Sequence, residues 1–270
     1  MLLNGIRLRK MIQTIKFYSK LSLFSIREEQ SSLSATLAGF MLYPAFIWIF
    51  SKLWLGLNNN ISTLEPAELF AYIGLTEILF MTSLREPFID RASSDFALSF
   101  VRPRLWPLYT SISIYSRTLF RRVIYLLIFV LILPLFTNNF ELIWYSAIKF
   151  ILFIPIVTVL ESLYSFLLTC LQIRFYTIRN FRMLFGKLFL IFGGVLAPLS
   201  DLPSSWQTIL LNTPFTDLIF QVSYFSIKGE FYQLTILQWL VRIFIQFVCV
   251  IVISYWFYKD SRQHYHNFGG

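Results

Sequence analysis

Apolar residues in this chain gather into six runs, near residues 34–57, 66–84, 119–137, 142–171, 183–197 and 235–258, and most charges lie between them. A helix rises 1.5 Å per residue, so about 17–25 apolar residues cover a bilayer core about 30 Å thick. Every run but the fifth reaches that length. The pattern predicts an all-α, polytopic membrane protein with six transmembrane helices.

Positive charge orients the bundle. If the first run leads outward, both termini and the even-numbered connections lie in the cytoplasm. Of the 23 Lys and Arg, only Lys52, Lys149, Lys228 and Arg242 then fall in the outer half, which leaves 19 inside. Cytoplasmic connections carry the Lys and Arg excess, and the opposite orientation would invert it. Acidic residues lean the other way: Glu65, Glu68, Glu141, Asp201, Asp217 and Glu230 fall in or beside the outer connections.

Composition sharpens this picture. A hydrophobic fraction of 57%, 30 phenylalanines and only 14% charged residues exclude an ordinary soluble domain. A net charge of +9 fits cytoplasmic loops beside an anionic leaflet and does not require nucleic acid. Cys170 and Cys249 both fall inside apolar runs, so buried packing is expected for each and disulfide chemistry is not. Residues 1–32 are too basic and too long for a cleavable signal peptide.

The connections have their own patterns. In residues 1–32, Arg9, Gln13, Lys16 and Lys20 form a polar stripe opposite Leu8, Met11, Ile12, Ile15 and Tyr18, which predicts an interfacial helix on the membrane. The long inward connection, residues 86–118, sets an apolar centre between charged flanks and predicts a short surface helix. Thr137-Asn138-Asn139 makes a tight hairpin between the third and fourth runs. The fifth run stops early, at Gly193-Gly194 and Pro198. Apolar turns that are too short to cross then fill residues 198–231, between Pro198, Pro203 and Pro214. This predicts a pair of short outer helices dipping back into the membrane.

Candidate chemistry is sparse. Glu77 and Glu161 lie within spans, where an ionisable group is costly and demands a partner; Lys149 and Arg242 are candidates for that role. The alternative is an ion pair or hydrogen bond that only fixes packing. His264 and His266 supply two ligands where a metal site needs at least three, so no metal is expected. Trp48, Trp54, Trp106, Trp144, Trp206 and Trp256 sit near span ends, as an aromatic belt does. No constellation suited to catalysis stands out.

Two stretches carry a family resemblance. Ser94-Asp95-Phe96-Ala97-Leu98-Ser99-Phe100-Val101-Arg102-Pro103 is similar to the Leu-x-Arg-Pro loop of one bacterial branch of ABC-2 type ABC transporter permeases. Gly193-Gly194-Val195-Leu196-Ala197-Pro198-Leu199-Ser200-Asp201-Leu202-Pro203, followed by Asn212-Thr213-Pro214-Phe215, resembles the glycine, Pro-Leu-x-x-Pro and Pro-Phe pattern of the same branch. The order of parts along nearly the whole chain also resembles these six-helix exporters.

That resemblance implies an export permease of the bacterial inner membrane that pairs with a second permease, identical or related. A separate ATPase subunit would hold ATP and Mg, because the chain contains no P-loop string of its own. Asp95, Phe96, Leu98, Phe100, Arg102, Pro103 and Arg104 would form the coupling contact to that ATPase. Gly193, Gly194, Pro198, Asp201, Pro203, Pro214 and Phe215 would shape the outer re-entrant segment. The resemblance also implies a cavity between the two subunits, formed by the first, second and fifth spans. Membrane lipids are the remaining expected partner. A proton- or ion-coupled transporter using Glu77 or Glu161 is the first alternative, and a membrane enzyme acting on lipids the second.

Overall fold

Helix α3 (Pro66–Thr82) is the axis of the molecule. Residues 69–79 are buried without a break, the pattern of a helix with no face left for solvent or lipid. It opens on a capping motif, in which Glu68 accepts the Glu65 backbone N–H at 3.0 Å and Pro66 occupies the first turn.

The computed structural model describes residues 2–31, 33–57, 63–83, 106–175 and 179–267. Before α3 come α1 (Leu2–Ser31) and α2 (Leu33–Leu57). After it come α4 (Trp106–Ile132), α5 (Pro134–Thr137), α6 (Phe140–Phe175) and α7 (Arg179–Phe192). A 3-10 turn at Leu199–Asp201 leads into α8 (Ser204–Leu210), α9 (Pro214–Leu218) and α10 (Phe220–Lys228), and α11 (Ile236–Asn267) ends the chain. Among the described residues there is no strand, only a lone bridge between Phe231 and Leu234.

Around α3 pack α2, α4, α6 and α10, while α11 lies against α6. Among the described residues, three stretches are long and apolar enough to cross a bilayer: Leu108–Thr137, Phe140–Leu171 and Ile236–Asp260. Their outer faces carry Leu127, Leu131, Leu152, Phe244 and Val252, all strongly exposed. Faces of that size and apolarity call for hydrocarbon around them. The chain is therefore a helical membrane protein.

The hairpin after α5 turns at Asn138, whose left-handed φ of 52° is one that asparagine tolerates. Asn139 then caps α6 by accepting the Leu142 N–H at 3.1 Å. Helix α4 starts earlier than the apolar run suggested, so residues 106–118, assigned from the sequence to the inward connection, are helix. Pro107 lies in its first turn, where a missing N–H costs nothing, and no glycine or proline interrupts Leu108–Ile132. Arg117, Arg121 and Arg122 consequently sit well within a helix instead of at its mouth.

Helix α1 packs on that early part of α4. The Ser22 and Ser116 hydroxyls meet at 2.7 Å, and those of Ser25 and Ser113 at 2.9 Å. Arg117 donates to Glu28 at 2.5 Å, and Arg121 forms a two-pronged pair with Glu29 at 2.6 and 2.7 Å. The buried side of α1 is thus partly polar, with Ser25 and Glu29 enclosed beside Leu21, while Ile15 is exposed. The free cysteines divide: Cys170 is buried as expected, but Cys249 is exposed. The reason is that α11 has one packed face, against α6, and Cys249 lies off it.

Candidate functional site

The polar interior of the bundle is built by α2, α3, α4 and α6. Counting back from Thr137 at 1.5 Å per residue, Arg122 lies about 22 Å along the helix, within hydrocarbon depth. It is fully buried. Its Nε donates to Thr82 Oγ1 at 3.1 Å, its Nη1 to Thr158 Oγ1 at 2.6 Å, and its Nη2 pairs with Glu161 Oε2. Both threonines pass their own hydroxyl protons back to the helix, Thr82 to the Ile78 carbonyl and Thr158 to the Ile154 carbonyl. One guanidinium therefore ties α3, α4 and α6 together.

Glu77 lies about 17 Å along α3 from Pro66. It is 3% exposed, and its Oε2 has no hydrogen-bond partner among the described residues. Tyr43 from α2 lies nearby, donates to the Gly74 carbonyl at 2.8 Å, and meets the Tyr125 ring edge-on with centroids 5.3 Å apart.

The second region caps the hairpin end of the bundle. Helix α7 ends at Gly193-Gly194, and Gly194 has φ +73°, a conformation that glycine adopts at no steric cost. Its carbonyl accepts the Tyr72 hydroxyl at 2.6 Å, which fixes the break to the central helix. Asp201 accepts the Thr63 N–H at 2.9 Å and its hydroxyl at 2.8 Å. Phe215, just after Pro214, sits against Phe189 with centroids 5.0 Å apart. Pro198, Pro203 and Pro214 immediately precede or start the 3-10 turn, α8 and α9. Each short helix thus begins where a proline ends the previous direction.

Arg242 reaches into the cap from α11. It donates to the Leu211 carbonyl at 2.7 Å and to Asn212 at 3.2 Å, and lies 3.5 Å from Asp217 Oδ1. Gln246 donates to the other Asp217 oxygen at 2.7 Å. Burial lifts the Asp217 carboxyl to about 6, against the lowering pull of Arg242 and Gln246. Trp239, fully buried, donates its indole N–H to the Asp217 carbonyl at 3.0 Å. Lys228 pairs with Glu68 at 2.6 Å.

The four intramembrane candidates are therefore not brought together. Glu161 takes Arg122, Arg242 takes Asp217 in the cap, and Lys149 lies beside Gly229 at the end of α10. The coupling candidates Asp95, Phe96, Leu98, Phe100, Arg102, Pro103 and Arg104 lie outside the described residues. Sequence reasoning missed Arg122, along with the Glu28–Arg117 and Glu29–Arg121 pairs. A sharper signal was present: Glu161 is a carboxylate deep in an apolar run, and Arg121-Arg122 lie inside the 119–137 run, where a cation needs a partner. Of the belt candidates, Trp48, Trp144, Trp206 and Trp256 are exposed, and the side chains of Trp54 and Trp106 lie outside those described. Among the described residues no cluster of His, Cys, Asp and Glu has metal-binding form. No family model and no curated protein matches the chain.

Proposed function

We propose that this chain is the membrane subunit of an ABC-2 type exporter in a bacterial inner membrane. It would cross the bilayer six times with both termini inside, pair with a second permease, and be driven by a separate ATPase that holds ATP and Mg. The observation that supports this reading best is the cap between α7 and α11. A short apolar helix breaks at Gly193-Gly194, and three helices too short to cross follow before a full-length final span. That order is the one the sequence resemblance leads one to expect. Helices α2 and α7 would line the passage between two subunits, whereas α3, which the resemblance also places there, is enclosed within this chain.

A mild-detergent pull-down of the tagged chain from its native membrane, read by mass spectrometry, tests this. A Walker-motif ATPase should copurify, and Arg102→Glu/Arg104→Glu should weaken its recovery at least several-fold. A well-folded chain that brings down no such ATPase rejects the reading. A second permease in the same eluate would distinguish a heterodimer from a homodimer.

One observation favours proton-coupled transport instead: the buried Glu77 carboxyl with an oxygen that no described group satisfies. On that reading, an imposed pH gradient drives proton flux into proteoliposomes, followed with an entrapped dye. Glu77→Gln would abolish the flux and Asp201→Asn would leave it intact. Equal flux in all three proteins removes Glu77 from any such role.

A further inference from the structure

We propose that the face of α1 turned away from α4 is a binding surface for anionic phospholipid headgroups. The proposal rests on the chain being a membrane protein and does not depend on the exporter reading. At 100° per residue, Lys16, Lys20 and Arg27 fall within about 40° of one line along α1, and Ser25 and Glu29 fall on the opposite side. All three basic side chains are exposed, whereas Ser25 and Glu29 are buried against α4.

Charge is sorted by that packing. Between Thr14 and Gln30 the only acidic residues are Glu28 and Glu29. Both are drawn into ion pairs, with Arg117 at 2.5 Å and Arg121 at 2.6 Å. Over residues 14–30 the fully exposed charges of α1 are thus all cationic, although its sequence is mixed, and the partly exposed Glu28 is held by Arg117. Complementarity then calls for an anionic partner.

Two features make that partner a lipid surface. Leu23 and Phe24 stand among the cations at 60% and 63% exposure, and Ile15 and Phe17 flank them. Apolar and basic groups are satisfied together at the boundary between headgroups and acyl chains, which an acidic protein in water does not offer. The depth also fits. Of the α4 residues that hold α1, Ser113, Ser116 and Arg117 lie about 36, 32 and 30 Å along the helix from Thr137, and Arg121, which pairs with the last turn of α1, about 24 Å. With the hairpin at one surface of a core about 30 Å thick, α1 falls at the headgroups of the other.

The test uses the full chain in nanodiscs carrying a trace of spin-labelled phosphatidylglycerol or phosphatidylcholine, with protein-restricted lipid read by electron paramagnetic resonance. Wild type should hold the anionic lipid several-fold better, up to about fivefold for each basic side chain. That preference should shrink as salt rises to about 0.5 M and screening shortens. K16Q/K20Q/R27Q should lose most of it, while K16R/K20R/R27K, which keeps the charge, should retain it at the same melting temperature. Absence of preference in wild type overturns the proposal. So does a glutamine variant with wild-type preference. A stripe that prefers neither lipid and stays open to a water-borne quencher would point to an acidic protein partner instead, and the proposal would be wrong.

Discussion

Arg122→Leu should cost most of the folded protein, seen as loss of the monodisperse peak in a thermal size-exclusion series in detergent. The substitution removes the cation facing Glu161, whose side chain is only 4% exposed, and takes a donor from Thr82 and Thr158. Breaking one side of a buried ion pair costs about 3–5 kcal/mol, because the remaining charge keeps its desolvation penalty. Removing both charges is a different experiment. Arg122→Leu/Glu161→Leu leaves no ion in the bundle at that point and should recover much of the lost stability. The double-mutant cycle should then report a coupling of about 2 kcal/mol or more. If the single variant melts with wild type, or the double melts no later than the single, this pair does not hold α3, α4 and α6 together. The same cycle separates a structural role for Glu161 from a transporting one. A packing pair tolerates joint replacement, whereas a residue that carries protons does not.

Helix positions were legible in the sequence because lipid and core both demand long apolar runs. The runs at 34–57, 66–84 and 235–258 correspond closely to α2, α3 and α11. The proline-marked breaks at 198, 203 and 214 likewise anticipated the short helices of the cap. Pairing was not legible. Arg122 and Glu161 are separated by 39 positions, and counting basic residues by loop assigned Arg122 to the inward side. Its burial follows from α4 starting at Trp106, which an apolar run beginning at Leu119 conceals. Helix α1 shows the same limit. A helical projection puts Ser22, Ser25 and Glu29 opposite the Lys16–Lys20 stripe, but their polarity argues against burial there, since nothing within α1 announces Ser113, Ser116 and Arg121 on another helix. Periodicity reports how apolar a face is; it does not report which polar face has found a polar partner. Cys249 failed for a related reason. Membership of an apolar run does not distinguish a face against α6 from a face against lipid.

Gly193→Ala should destabilise the protein by about 3 kcal/mol while Gly186→Ala, seven residues earlier on α7, should be neutral or stabilising by up to about 1 kcal/mol. The contrast isolates geometry from propensity, since both changes replace glycine by the best helix former. A β-carbon at Gly186 meets nothing within 4 Å. One at Gly193 would lie 2.3 Å from the Phe189 carbonyl oxygen and 2.7 Å from the Ile219 side chain. The isoleucine methyl can turn away, but the carbonyl cannot. It is already bound by the Gly193 N–H at 3.0 Å, so relief requires moving the end of α7 itself. That end positions the Gly194 carbonyl for Tyr72 and the Phe192 carbonyl for Thr216, which donates to it at 2.8 Å. A displacement there would propagate into α3 on one side and the cap on the other. Melting of the three proteins, followed by tryptophan fluorescence, decides the matter. Trp239 is enclosed in the cap beside Phe153 and Phe231 and should report loosening directly. Equal melting of Gly193→Ala and wild type would mean that the break tolerates a side chain. The tight turn would then be incidental to how the cap is held, and the likeness to an exporter's outer segment would lose its strongest support.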